Sequence, residues 1–214
     1  MTTAGQERTP RARTRLGWLT AASDRVPTRW FAGIGTALFL AATAAFGGLA
    51  TADEPEVAAL EPGDTHTNDQ LSLTLERAVL LDEFPEAGVY VDEGERVLAI
   101  LLTVENRWTE PLAASGDSSV TQSLSVEGVP DAPVSVARYD DATVAPWLQP
   151  GVPAQLVLVW AIEQDRLENG QELEVTLNDM TLHTGSFVAS GQWWTDPVAA
   201  ATVTVEIEDV GAGG

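Results

Sequence analysis

Residues 30–52, WFAGIGTALFLAATAAFGGLATA, carry no charged side chain, and this run determines what the rest of the chain can fold into. From Trp30 to Ala50 it rises about 31 Å as a helix, close to the hydrocarbon thickness of a bilayer. Ahead of it lie six arginines (Arg8, Arg11, Arg13, Arg15, Arg25 and Arg29) against Glu7 and Asp24, a net charge of +4. Behind it lie five arginines and thirty acids, a net −25. Arginine-rich flanks stay in the cytoplasm. The expectation is therefore a disordered basic cytoplasmic tail over 1–29, a single transmembrane helix over 30–52 in the plasma membrane, and an extracytoplasmic body.

The competing expectation is a cleaved signal peptide, because Ala50-Thr51-Ala52 before Asp53 has the small-x-small form of a cleavage site, and the product would be a secreted, soluble binding module. The long head and the length of the apolar run favour a retained anchor. Gly33, Ala37, Ala41 and Ala45 recur every fourth residue and form a small-residue stripe on which the helix of an integral membrane protein would pack.

About 140 residues remain for a folded unit, enough for one domain with a proper core. Residues 53–70 contain Pro55, Pro62, Gly63 and six acids, which reads as an acidic linker. The chain has no cysteine, so the exported fold relies on packing alone and a lipid-attached lipoprotein is excluded. A net charge of −21 excludes nucleic acid as a partner. It also holds the body off anionic lipid surfaces.

From Leu71 the hydrophobic period becomes two. Leu71, Leu73, Leu75, Val79 and Leu81 share one parity, which predicts a strand with one buried face. Residues 96–106, RVLAILLTVEN, are apolar at both parities in the middle, as a central strand buried on both sides would be. Residues 155–163, QLVLVWAIE, place Leu156, Leu158, Trp160 and Ile162 on one face, with Trp160 at the centre of the core. Further strands are expected over 120–126, 134–139, 172–178 and 202–208, with a bulge or turn near Asn178-Asp179 where the phase of Met180 and Leu182 reverses. Many short strands parted by Gly, Pro and Asn turns, with no amphipathic helix, predict an antiparallel sandwich over 71–208 and a flexible tail over 209–214.

The segment from Gly94 to Trp108, an apolar strand ending in Val104-Glu105-Asn106, resembles the strand of immunoglobulin-like domains in bacterial envelope proteins that closes on a Val-x-Asn corner. Leu148-Gln149-Pro150-Gly151 before Leu156-Val157-Leu158-Val159 is similar to the proline-glycine turn of the same domains. The resemblance spans about residues 71–208. It implies an immunoglobulin-like β-sandwich with no catalytic motif and, without the anchoring cysteine of lipoprotein members, a membrane-tethered relative.

Chemistry-bearing patterns are sparse. His66 and His183 have no partner at metal-ligand spacing, and no nucleophile elbow, phosphate loop or dinucleotide fingerprint occurs. Without lysine there is no Ser-Lys hydrolase. No cofactor is expected. The acid-rich residues Asp82, Glu83, Glu86 and Asp92 are the calcium candidates, although their spacing does not match the regular calcium loop. Glu83 and Asp92 also define a carboxylate-pair hydrolase alternative. Adjacent strand residues point to opposite faces, so of Trp193 and Trp194 one indole is expected to be exposed and to anchor a protein or sugar partner. The leading functional expectation is a non-enzymatic binding or accessory subunit of an envelope complex, with a transporter as the candidate complex.

Overall fold

The computed structural model describes residues 28–45, 57–186 and 190–211. The chain divides into two units, Met1–Glu54 and Pro55–Gly214. In the first, α1 (Thr28–Ala45) is an 18-residue helix, about 27 Å long. Among the described residues no helix is long and apolar enough to cross a membrane. The expected span continues to residue 52, and 46–52 lie outside the described residues, as does most of the expected tail, 1–27. Gly33, Ala37 and Ala41 are exposed on α1; the side chain of Ala45 lies outside the description.

The second unit is a β-sandwich. Its strands are β1 (Ala58–Leu60), β2 (Thr65–Thr67), β3 (Leu71–Leu81), β4 (Glu95–Asn106), β5 (Leu112–Ala113), β6 (Leu124–Val126), β7 (Ser135–Arg138), β8 (Trp147–Leu148), β9 (Pro153–Glu163), β10 (Glu172–Gly185) and β11 (Gly191–Gly211). One layer runs β6-β10-β11-β1; the other runs from the end of β11 through β3, β4 and β9 to β7. β11, 21 residues long, belongs to both. It pairs with β10 up to Glu206, then turns to a parallel pairing with β3 from Ile207 onward. β5 and β8 form a separate two-stranded ribbon.

Between the layers lies the main core. Leu71, Leu73 and Leu75 of β3, Leu98, Ile100 and Leu102 of β4 and Leu156, Leu158 and Trp160 of β9 meet Val175, Leu177, Val203 and Val205 from the opposite layer. Trp160 is 2% exposed and its Nε1–H donates to the Pro130 carbonyl at 2.9 Å, as a buried indole nitrogen requires. A second apolar cluster covers the outer face of the β3-β4-β9-β7 layer, where Val97, Ala99, Val157 and Val159 pack under Ala87 and Val89. β4 is therefore buried on both sides, as its two-parity pattern requires.

One difference from the sequence reading follows from a bulge. In β3, Leu75 pairs with Leu102 and Arg77 with Leu101, so Glu76 has no partner and both Glu76 and Arg77 face outward. Beyond it the core parity passes to Ala78 and Leu80, while Val79 and Leu81 join the outer cluster. Because the bulge already holds one residue too many, deleting Glu76 is expected to leave every core side chain in place. It removes the Thr103 hydroxyl bond to Glu76 (2.9 Å) and is expected to cost less than about 1 kcal/mol in urea unfolding. Deleting Thr74 turns Leu71 and Leu73 outward and is expected to cost more than about 4 kcal/mol.

The β10–β11 pairing shifts register between Leu177 and Asn178 and again between Asp179 and Thr181, where the expected bulge lies. The second shift accommodates Asp196, at φ 54, and Pro197, which has no N–H to donate.

Other boundaries are corrected. Residues 57–70 are not a free linker: β1 pairs with residues 201–203 of β11, β2 with residues 72–74 of β3, and Gln70 is fully buried. Residues 209–211 are not a flexible tail but the end of β11. Over 120–126 a 3-10 turn (Val120–Ser123) precedes the short β6. A polar Thr-Gln-Ser run gives the turn no second apolar side to sustain a longer strand.

Candidate functional site

The outer face of the β3-β4-β9-β7 layer is apolar along its length but roofed over only part of it. After Leu81 the chain folds back across the sheet as the 82–94 loop. A Phe84–Val89 bridge, a 3-10 turn (Pro85–Ala87) closed by Gly88 at φ 72, and a hydrogen bond from the Ser135 hydroxyl to the Ala87 carbonyl (2.7 Å) hold it down. Beside the loop remains a cleft of about 420 Å³. Its apolar lining includes Val79, Leu81, Leu101, Val157, Phe84 and Val210. This size and character suit a small-molecule site.

Its polar groups are Arg77, Glu83, Glu86 and Tyr139. Of the five arginines in this unit, Arg96 pairs with Asp209 (2.9 Å), Arg138 with Asp140 (2.7 Å), and Arg107 and Arg166 donate to backbone carbonyls. Arg77 alone has no hydrogen-bond or ion-pair partner among the described residues, and the side chains of Glu83, Glu86 and Tyr139 have none either. Tyr139 is 54% exposed. The cleft therefore combines an apolar floor with four polar groups that the fold itself does not engage.

The neighbouring charges are already neutralised. Arg96 holds Asp209 through two hydrogen bonds, of 3.0 and 2.9 Å, and approaches Asp82 at 3.7 Å. Its guanidinium keeps the Asp209 carboxyl below the usual carboxylate range, as Arg138 does for Asp140.

The residues singled out from sequence fall elsewhere or fall apart. Among the described residues no three His, Asp or Glu side chains converge to hold a metal ion. The calcium candidates separate: Asp82 faces Arg96, the Asp92 N–H is bonded by Glu95 (3.1 Å), and Glu83 and Glu86 belong to the cleft. His66 is engaged with Asp179 (2.8 Å), tying β2 to the opposite layer. Trp194 is 4% exposed and meets Trp108 edge-on at 6.0 Å, so it serves the core, whereas Trp193 is half-buried and leans on His183 at 4.8 Å. Trp147 stands exposed on β8 and does not join them. Sequence reasoning missed Arg77, Leu101 and Tyr139; the usable signal was the second apolar parity of β4, which demands a cover on the far face.

No family model and no curated protein matches the sequence. Among solved structures, an uncharacterised β-sandwich protein from Clostridium difficile is similar at a TM-score of 0.42 and 8% identity, over 73% of this chain and 99% of that one. A lipoprotein candidate from Staphylococcus aureus is similar at 0.36 and 11% identity, over 69% of this chain and 94% of that one. A conserved hypothetical protein from Bacillus anthracis is similar at 0.32 and 13% identity, over 59% and 94%. At such scores the likeness carries no functional argument, and the description of this chain as a β-sandwich rests on its own strand pairing.

Proposed function

We propose that this chain is a non-enzymatic binding protein of the cell envelope: a single membrane anchor near the N-terminus, an immunoglobulin-like sandwich outside the cell, and the outer-face cleft as its point of engagement. In this reading it works as an accessory subunit of a membrane complex, with the small-residue stripe of α1 against an integral membrane partner. The observation that carries it is a sheet apolar on both faces whose outer face is only partly roofed and is bordered by polar groups with no internal partner. The charge change from +4 to −25 across residues 30–52 supports export, and two packed layers of strands suit an immunoglobulin-like build.

Protease added to intact cells that produce a C-terminally tagged chain tests this. The expected result is removal of the tag from outside, with intact-mass measurement of the membrane fraction showing residues 1–52 retained. A tag protected until the cells are broken would overturn the reading. Protein in the medium that begins at Asp53 would replace it with the secreted binding module.

A further inference from the structure

Resting on that reading of the cleft, we propose that its ligand is a short apolar peptide with both ends free, two or three residues long. Its ammonium group sits at Glu83 and Glu86, its carboxylate at Arg77, and its side chains on the floor formed by Val79, Leu101 and Val157.

Three features select this chemistry. The floor is apolar, so the side chains laid on it are apolar. Charges of both signs line the same cleft, yet Arg77 lies beyond ion-pair distance of either carboxylate, so each is left to meet an opposite charge on the ligand. The volume of the cleft then sets a size. At about 420 Å³ the cleft falls in the range that takes up a drug-sized ligand, so a single amino acid leaves most of it empty and two or three residues fill it.

Other envelope amphiphiles fit less well. A fatty acid would satisfy Arg77 while bringing a third anion toward two glutamates; an alkylamine would leave the guanidinium unanswered; a single amino acid is too small for the cleft. The Tyr139 hydroxyl, able to donate or accept, is available to a peptide bond.

Calorimetry on the full chain in lipid nanodiscs tests the assignment with five probes: tri-leucine, its N-acetyl form, its C-terminal amide, dodecanoate and dodecylamine. Tri-leucine is expected to bind saturably, and capping either end to weaken binding by about tenfold or more, the size of one lost charge-assisted hydrogen bond. Arg77→Gln is expected to erase the difference between tri-leucine and its amide. The Glu83→Gln, Glu86→Gln double variant is expected to erase the difference between tri-leucine and its acetylated form. All three side chains are exposed, and thermal melts check that the variants fold.

Equal binding of capped and free peptide overturns the proposal. So does tighter binding of dodecanoate or dodecylamine, although that result leaves the cleft a binding site and the envelope reading intact. Absence of saturable binding for every probe overturns both the peptide and the role given to the cleft, whatever the protease experiment shows about topology.

Discussion

Asn106→Ala is expected to lower the unfolding free energy by about 3–5 kcal/mol, read as a fall in the urea midpoint at unchanged slope. The side chain is fully buried at the end of β4 and serves three backbone groups. Its Nδ2 donates to the carbonyls of Glu110 (2.8 Å) and Leu148 (3.0 Å), and its Oδ1 accepts from the Trp108 N–H (3.0 Å). The Asn106 carbonyl in turn accepts the Gly151 N–H at 2.7 Å, where Gly151 takes φ 69. Alanine takes the donor away from the Glu110 and Leu148 carbonyls, the second of these bonds being buried, while the Trp108 N–H keeps only its longer bond to the Gln70 carbonyl (3.2 Å). Asn106→Asp is expected to be worse, because it keeps the acceptor but loses both donor bonds and buries a charge. A midpoint for Asn106→Ala within 1 kcal/mol of the parent would show that the corner is held by backbone pairing alone.

Trp160→Ala is expected to cost a similar amount, about 3–5 kcal/mol, through the cavity left at the centre of the core. Trp160→Phe separates packing from hydrogen bonding. It keeps most of the apolar volume and loses only the bond from Nε1 to the Pro130 carbonyl, so about 1–2 kcal/mol is expected. If the Phe variant fell as far as the Ala variant, the anchoring of the loop around Pro130 would outweigh the packing.

Both of these residues were legible in the sequence, and for different reasons. Trp160 stands in a run whose even positions are all large and apolar. Asn106 was marked by the resemblance to the Val-x-Asn corner of immunoglobulin-like envelope domains, and the structure adds that it bonds directly to the Leu148-Gln149-Pro150-Gly151 turn, so the two stretches are one corner. Bulges were less legible. Glu76 interrupts β3 without any glycine or proline to mark it, and the alternation simply resumes one residue out of step.

The linker reading of 57–70 failed because composition weighs charge and proline but does not see that three-residue strands suffice to pair an edge. Residues 191–201 were not read as strand, since Pro197 and the exposed small residues around it hide a ladder maintained by β10. The cleft depends on where the 82–94 loop folds back. That is a tertiary matter, and its one local trace is the second apolar face of RVLAILLTVEN.

β11 has a final consequence. A single backbone serves as the seam of both layers, so neither can peel away whole without tearing a ladder from the strand it shares with the other. Loosening must therefore begin at the outlying edges, where β6 and β7 contribute only three and four residues. The amides of β4, flanked along its length by β3 and β9, become the last to exchange their protons with water.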